Sequence, residues 1–392
     1  MPRFPEFAQR IHRLQPSVFE KYRTRMKEKR SFLIHLHIGD TYLPPDYQLP
    51  IDPEFLKSKP YFNRYCNTFG VDSFRRMLES KLNEDNGFKV EVENIFATSG
   101  ATNALSASVL SLLNPGEEIL VLTPCWPFFP GMVELADARV VQVSFYLRLY
   151  QEPELNISGH LEKYLTSSTS ALYLNTPNNP SGKVLNLSQL RQVAEFARKH
   201  QLWIISDEAY DGLIFDKHQQ HCVATLPGMF EQTLSIFTFS KSFMFAGLRL
   251  GYLVGPESAI RVINKTMVHQ LYSPSTLSQY MMIEPLKKRH SWIPRLRDHY
   301  QELRDSSIRQ LEIPVQSPEG TYFLFFSIRD YLNGRTYWQV IDELIEAGVA
   351  VAAGEDFGKD FGDYIRICFT GERPERVKLA IERINKVLLK KS

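Results

Sequence analysis

The sequence has little that would place the protein in a membrane, on a nucleic acid or in an oxidising compartment. No apolar run approaches the length needed to span a bilayer, and the first residues lack the apolar core of a signal peptide. A formal net charge of +2 gives no argument for a nucleic-acid or membrane partner. The four cysteines lack the paired spacing of a zinc site or a disulfide framework: Cys66, Cys125, Cys222 and Cys368. We therefore expect a cytoplasmic protein that binds neither metal, nucleic acid nor membrane.

What the sequence does contain is a regular alternation of short apolar runs and helical patterns. The length of 392 residues is too great for one hydrophobic core and fits two domains. The alternation predicts a largely parallel sheet with helices on both faces, and ligands bind at the carboxyl ends of such strands. Strands are predicted at 119–122, 140–145, 171–174, 202–205 and 234–239. Unusual residues follow the predicted strands: Ser99, Trp126, Asn179, Asp207, Tyr210 and Lys241.

Lys241 lies between two predicted apolar strands and has phenylalanines on both sides in the sequence. Burial penalises the charged form of a lysine, which lowers its pKa and leaves a nucleophilic neutral amine. The alternative is an ordinary lysine whose aliphatic stem crosses apolar surface to reach water. The strand-end residues around it favour the nucleophile.

The segment Ser99-Gly100-Ala101 stands where an apolar run meets a helix rich in alanine, serine and leucine. Small residues at a helix start leave backbone N–H groups accessible, which suits an anion such as phosphate. A plain helix cap is the alternative. A nucleotide-binding loop is not favoured, because neither GxGxxG nor GxxxxGK[ST] occurs there.

The two ends of the chain are predicted to form a second, smaller domain. A charged helical stretch is expected over 6–30 and a strand over 33–40. In that strand, His35 and His37 are expected to share one face rather than bind a metal, since no third ligand is near. The C-terminal part mixes strands and helices and places Arg366 in the middle of an apolar strand. We expect an N-terminal segment (1–45) that packs on the small domain (286–392). The large domain (46–285) lies between these two segments in the sequence.

Three motifs, in their order and spacing along the chain, resemble those of the class I and II aminotransferases of pyridoxal 5′-phosphate (PLP) fold type I. They are Ser240-Lys241 with Arg249, Asn179-Pro180-Ser181-Gly182, and Asp207-Glu208-Ala209-Tyr210. The resemblance extends from about residue 36 to about residue 384. It implies an α/β fold: a large domain with a mostly parallel mixed sheet flanked by helices, and a smaller α+β domain. It also implies PLP as cofactor.

The resemblance implies roles for four residues around the reacting part of the cofactor. Lys241 would form the Schiff base with PLP and later move protons. Asp207 would pair with the pyridinium nitrogen. Tyr210 and Asn179 would hydrogen-bond the phenolic oxygen of the ring.

Further roles are implied for the phosphate, the ring face and the substrate. The phosphate would be held by Ser99, Gly100, Ala101, Thr238 and Arg249, and the ring would stack on Trp126. Tyr65 would reach the phosphate of a neighbouring subunit, which implies a homodimer. Arg366 would bind the substrate α-carboxylate, with Gly39 and Asn179 beside it. The chain departs from the family pattern at Thr238, where serine is common, and at Ala353-Gly354, where Pro-Gly is usual.

The resemblance implies transfer of an amino group between an L-amino acid and a 2-oxo acid. A PLP-dependent carbon–sulfur β-lyase, or another elimination or decarboxylation enzyme, would use the same motifs. A PLP-binding regulator is not favoured, because the N-terminal stretch is too short for a DNA-binding domain. The amino donor is not readable from the motifs, although aromatic residues near the site would suit a large apolar side chain.

Overall fold

The computed structural model describes residues 4–14, 25–26, 32–45, 47, 49, 52–59 and 61–390. The strands are β1 (Ile34–His35), β2 (Ile95–Thr98), β3 (Glu118–Thr123), β4 (Arg139–Ser144), β5 (Thr169–Asn175), β6 (Trp203–Asp207), β7 (Thr233–Thr238), β8 (Gly251–Val254), β9 (Phe323–Ser327), β10 (Val349–Ala350), β11 (Ala352–Ala353) and β12 (Tyr364–Cys368). The helices are α1 (Gln9–Arg13), α2 (Pro53–Ser58), α3 (Asp72–Asp85), α4 (Gly100–Leu112), α5 (Phe129–Leu135), α6 (Tyr146–Gln151), α7 (Ile157–Leu161), α8 (Leu187–Lys199), α9 (Glu257–Gln270), α10 (Thr276–Lys287), α11 (Arg289–Gln310), α12 (Tyr337–Glu346) and α13 (Pro374–Leu388). Among these helices, none combines the length and apolar character that crossing a membrane requires.

The large sheet has seven strands in the order β2-β8-β7-β6-β5-β3-β4. Strands β3 to β7 pair in parallel, whereas β8 is antiparallel to both of its neighbours, β2 and β7. The expected mostly parallel mixed sheet is therefore confirmed. Its parallel strands bring the ends of β5, β6 and β7 to one edge, where loops carry the candidate site.

Helices cover both faces of this sheet because its strands are apolar on both sides. Along β3, Ile119 and Val121 pack with α4, α5 and α9, whereas Leu120 and Leu122 pack with α7 and α8. Successive side chains of a strand point to opposite faces, so each strand supplies both cores. A capping box between Asn186 and Gln189 fixes the start of α8 on one of these faces.

A smaller antiparallel sheet, in the order β11-β12-β9, lies in the C-terminal part of the chain. Helix α11 packs on α13, and α12 also packs on α13. The N-terminal segment joins this region, since β1 pairs in parallel with β10 and Ile34 lies opposite Val349. Arg366 stands in the middle of β12, opposite Phe325 of β9 and Ala352 of β11.

Three sequence expectations differ from the structure in extent. The strand expected over 33–40 is limited to β1, because the following backbone turns back and the Gly39 carbonyl accepts side-chain hydrogen bonds instead. The single helix expected from residue 257 to 288 is two helices. Tyr272, with a left-handed φ of 69°, and Pro274 interrupt it, and Ser275 caps the second helix. Of the helix expected over 6–30, α1 is described, and residues 15–24 and 27–30 lie outside the described residues.

Candidate active site

A cavity of about 250 Å³ opens at the carboxyl edge of the large sheet and is bordered on the other side by residues 37–39, which follow β1, and by residues of β9, β11 and β12. Most of the residues that the sequence singled out line it together: Gly39, Ala101, Trp126, Asn179, Asp207, Tyr210, Thr238, Lys241, Arg249 and Arg366. Ser99, Gly100 and Tyr65 do not line the cavity. The carboxyl edge of the large sheet and the small sheet therefore line the same cavity.

Lys241 follows β7 by three residues and projects its amine into the cavity. Its Nζ donates a hydrogen bond of 3.0 Å to the carbonyl of Gly39. The amine also lies 5.7 Å from the centre of the Tyr210 ring and 5.6 Å from that of Tyr322. Burial lowers the pKa of Lys241 to about 8, with nearby Arg366 and Arg249 acting in the same direction. About a tenth of the amine is therefore neutral at pH 7, far more than for an ordinary lysine.

Asp207 ends β6 and is buried beside the cavity. Its Oδ2 accepts a hydrogen bond of 2.8 Å from the Tyr173 hydroxyl, and its Oδ1 accepts one of 3.0 Å from the Ala209 amide. Burial raises the pKa of Asp207 to about 6, although both hydrogen bonds oppose the rise. The carboxylate is therefore mostly ionised at neutral pH, and its two hydrogen bonds fix its orientation. Such a carboxylate can pair with a cation in the cavity.

Sequence reasoning missed Tyr173, the residue that fixes Asp207. Tyr173 lies on β5, opposite Ile205 of β6 and two residues before the strand end. Its ring stacks on Phe129, with the ring centres 3.7 Å apart, so that the hydroxyl points along the sheet to the carboxylate. The available signal was a hydroxyl within an otherwise apolar run, which packing alone also explains.

The loop after β5 is fixed by amide side chains rather than by apolar contacts. Asn175 donates from Nδ2 to the Asp207 carbonyl (2.9 Å), and its Oδ1 accepts from the Asn179 amide (2.7 Å). Asn178 donates to the Pro124 carbonyl and accepts from both the amide and the hydroxyl of Ser181. The position of Asn179 is therefore set by neighbours in the same loop and at the adjacent strand end.

Arg366 brings the small sheet to this loop. Its Nη1 donates to Oδ1 of Asn179 (2.9 Å) and its Nη2 donates to the His37 carbonyl (2.7 Å). The guanidinium carbon lies 4.1 Å from the Phe323 ring centre and 4.9 Å from the Phe357 ring centre. Hydrogen bonds and aromatic faces together offset the cost of burying the charge. A planar guanidinium held in this way can bind a carboxylate directionally.

The opposite end of the cavity is suited to a phosphate. Helix α4 begins at Gly100, which has a left-handed φ of 80°. A Cβ at Gly100 would lie 3.0 Å from Nη2 of Arg249, so glycine leaves room for the guanidinium beside the helix start. Arg249 itself adopts a left-handed φ of 49° and donates from Nη1 to the Ala246 carbonyl. Helix-start amides with a planar cation beside them can bind an anion, and we call this arrangement the cradle.

The remaining predicted residues have different surroundings. The Thr238 hydroxyl lies 3.0 Å from the Ser240 hydroxyl and 3.3 Å from the Leu250 carbonyl, and its single proton serves one of the two. Trp126 packs edge-on against Phe128, with the ring centres 5.3 Å apart. Tyr65 is 81% exposed and packs edge-on against Tyr272 at 4.8 Å. Tyr65 therefore lies on the surface of this chain, away from its own cavity.

The histidine pair lies beside the site without forming a metal centre. The rings of His35 and His37 are 5.4 Å apart between centres. Burial, followed by the charge of His35, lowers the pKa of His37 to about 4, so its imidazole is neutral at neutral pH. Within the ranges described, the side chains that could hold a metal as a group of three are Glu84, Asp85 and His290. The histidine pair is not part of that group.

Part of the wall escaped sequence reasoning because its residues are apolar and resemble ordinary core. Apolar side chains give a sequence no signal that separates a ligand-facing position from a packed one. These lining residues are Ile38, Leu105, Pro127, Ala246, Phe323, Ala352 and Phe357.

Comparisons with known proteins agree with this geometry. Residues 41–384 match the family model described as aminotransferase class I and II. The chain is 32% identical to an aspartate aminotransferase of Pyrococcus abyssi over 370 residues, 92% of each chain. It is 30% identical to the aromatic-amino-acid aminotransferase 2 of Thermococcus litoralis, again over 92% of each. The solved aromatic aminotransferase of Pyrococcus horikoshii superposes with a TM-score of 0.81 at 31% identity, covering 93% of this chain and 98% of that one.

Proposed function

This chain belongs to the aminotransferase class I and II family, and from that premise we propose that it exchanges an amino group between an L-amino acid and a 2-oxo acid with PLP as cofactor. The observation that carries the proposal is the combination of groups in one cavity. The buried amine of Lys241, with its lowered pKa, and the fixed carboxylate of Asp207 line the same cavity. The cradle is at one end of this cavity and the Arg366 guanidinium is at the other. An aldehyde cofactor with a phosphate and a basic ring nitrogen needs these groups.

The residues present fit this cofactor group by group. The helix start at Ser99, Gly100 and Ala101 would hold the phosphate together with Arg249 and Thr238. The supporting observation is the space at Gly100, which a Cβ would fill against Arg249. When bound, PLP supplies an electron sink for a bond at the substrate α-carbon.

The ring of the cofactor would be held by the remaining strand-end residues. Asp207 would accept a hydrogen bond from the ring nitrogen and keep it protonated. Tyr210 and Asn179 would bind the ring oxygen, and Trp126 would cover one face of the ring. All four line the cavity.

The chain's own groups would move protons and orient the substrate. Lys241 would hold the cofactor covalently through its amine, and once released would move a proton at the substrate α-carbon. Its lowered pKa supports this role, because a neutral amine is both nucleophile and base. Arg366 would bind the α-carboxylate with two parallel hydrogen bonds, and Gly39 and Asn179 would border it.

The assembly and organisation that we propose rest on two further observations. Tyr65 is exposed and outside its own cavity, so it would reach the phosphate in a second copy, as in a homodimer. The pairing of β1 with β10 supports a division into an N-terminal segment (1–45) packed on a small domain (286–392) and a large domain (46–285). We place the protein in the cytoplasm, since its four cysteines are free thiols, as is usual in a reducing compartment.

The test is to reduce the PLP-loaded protein with borohydride and to locate the label by mass spectrometry. We expect the cofactor on Lys241, and a label on another lysine would contradict the assignment. Lys241→Ala should bind PLP through the phosphate cradle yet show no turnover. Amino acid alone should bleach the absorbance of the lysine-bound cofactor once and stop. Continuous release of pyruvate and ammonia would instead indicate the lyase.

A further inference from the structure

The cavity is lined by three cationic side chains, the Asp207 carboxylate, several polar side chains and an apolar wall beside Arg366. Of the described residues that line it, Lys241, Arg249 and Arg366 are the lysines and arginines. On the proposed function, on which this inference rests, these three serve the cofactor aldehyde, its phosphate and the substrate α-carboxylate. His37 also lines the cavity, but its lowered pKa of about 4 leaves it uncharged at neutral pH. Among the described residues of this chain that line the cavity, none therefore provides a further cation for a second substrate carboxylate.

A carboxylate placed against apolar side chains without a cation loses its hydration uncompensated, so a second substrate carboxylate is disfavoured at this apolar wall. The wall offers apolar side chains instead. Phe357 lies against the Arg366 guanidinium at 4.9 Å and is 1% exposed. Ile38 is next to His37, whose carbonyl accepts from Arg366, and 40% of Ile38 is exposed. An amino acid held by Arg366 thus places its side chain beside apolar groups.

Phe128 completes this wall from the large domain. Its ring packs edge-on against Trp126 and lines the cavity. The Cys125 amide donates a hydrogen bond of 2.9 Å to the Phe357 carbonyl, so the loop that carries Phe128 is tied to the loop that carries Phe357. Phe128 therefore borders the same cavity as Phe323 and Phe357, whose rings lie beside Arg366. Rings with centres 4.5–7 Å apart attract beyond their area burial, which favours an aromatic guest.

We propose that the amino donor of this site is an L-amino acid with a large apolar side chain, an aromatic one above all, and that Phe128 determines this specificity. Phe128 contacts the side chain of the substrate rather than its reacting atoms. Its removal therefore acts on aromatic donors and leaves a donor without a ring unaffected.

The experiment uses the PLP-loaded protein and follows bleaching of the lysine-bound cofactor by phenylalanine, tyrosine, tryptophan, aspartate, glutamate and alanine. We expect aromatic donors to exceed aspartate and glutamate by at least about tenfold in the second-order rate constant. Phe128→Ala should lower the constant for phenylalanine by about tenfold and leave that for alanine within about twofold. Phe32→Ala is the matched control, because Phe32 is 47% exposed and does not line the cavity.

The outcomes separate this inference from the proposed function. If no amino acid bleaches the cofactor, the proposed aminotransferase function fails. If aspartate or glutamate reacts faster than the aromatic donors, the function stands and the substrate class proposed here is wrong. Equal losses for phenylalanine and alanine in Phe128→Ala would show that Phe128 does not select the side chain. Phe128→Leu, which keeps apolar volume in the loop, provides the same comparison if the alanine variant does not fold.

Discussion

The proposed cofactor side and the proposed substrate side of the cavity are assembled from different parts of the chain. On the cofactor side, Asp207, Thr238 and Lys241 follow or end two adjacent strands, β6 and β7, of one sheet. On the substrate side, Gly39, Asn179 and Arg366 come from the N-terminal segment, the loop after β5 and the small sheet. The first set is positioned by backbone pairing, and the second by side-chain hydrogen bonds between segments far apart in the sequence.

The difference shows where such a fold tolerates change. A strand end in a buried parallel sheet is held by the whole ladder, so the groups of the cofactor side move little when one neighbour is altered. Arg366 depends on two acceptors, Asn179 Oδ1 and the His37 carbonyl, that exist only when three segments are packed together. We therefore expect changes on the cofactor side to affect chemistry, and changes on the substrate side to affect selection.

The largest effect is expected from Asp207→Ala. Loss of the carboxylate removes the group that would keep the ring nitrogen protonated, and we expect turnover to fall by about 10²–10³-fold at saturating PLP. Stability should change little or rise in the protein without cofactor, because burial raises the pKa of Asp207 and so opposes its ionisation there. Measuring kcat and the free energy of unfolding separates the two. Glu208→Gln is the matched control for turnover, and near-normal turnover in Asp207→Ala would contradict the role.

Arg366→Lys tests the substrate side. Lysine keeps the charge but loses the planar fork that donates to both Asn179 and the His37 carbonyl. We expect KM for amino acids to rise by about 10–100-fold while the PLP absorption spectrum is unchanged. Arg304→Lys is the control, since Arg304 is also buried but pairs with Asp216 outside the cavity. If amines without a carboxylate lose as much activity as amino acids, Arg366 supports the fold rather than the substrate.

The sequence predicted the polar residues that follow strands better than the partners that hold them, for a physical reason. Strand ends can be read from apolar runs, and a polar residue after such a run stands out, as Asp207 and Lys241 do. The partners of those residues cannot be read in this way. Tyr173 lies within an apolar strand, and Phe357 and Ala352 resemble core, so their place at the site depends on tertiary packing. The loop at Gly39 was mistaken for strand, since its side-chain hydrogen bonds are long-range.

Tyr173→Phe probes a smaller effect within the cofactor side. The hydroxyl of Tyr173 donates to Asp207 Oδ2 and thereby lowers the pKa of that carboxyl. Without it the pKa should rise further above 6, by about 0.5–1 unit, and the loss of PLP affinity on acidification should begin at higher pH. The measurement is PLP affinity of the apoprotein from pH 5 to 8. Tyr252 is another buried tyrosine, and Tyr252→Phe should not change the pH at which PLP affinity begins to fall. If Tyr173→Phe also leaves that pH unchanged, the hydrogen bond from Tyr173 to Asp207 is unimportant for PLP binding.

The smallest effect on activity, and the sharpest on stability, is expected from Glu208→Gln. Glu208 is fully buried behind the site, where it accepts hydrogen bonds from the Ser206 hydroxyl (2.8 Å) and the Gln220 amide (2.8 Å). Burial raises its pKa to about 8 from an ordinary value of 4.5. Between these values the folded protein keeps a proton that the unfolded chain has lost, so the free energy of unfolding falls as pH rises through this window.

Glutamine cannot lose that proton, so this part of the pH dependence should be absent from the variant. Each pH unit within the window corresponds to about 1.4 kcal/mol at most, so between pH 5 and pH 7.5 the native protein should lose about 2–3 kcal/mol more than Glu208→Gln. Asp207, whose pKa of about 6 is raised in the same direction, contributes equally to both proteins and cancels in the difference. Denaturant unfolding at several pH values, with turnover measured in parallel, provides the test. If the free energies of unfolding of the native protein and Glu208→Gln change in parallel with pH, Glu208 is ionised in the folded protein. A large loss of turnover in Glu208→Gln would mean that the proposed cofactor side includes Glu208 as well as Asp207.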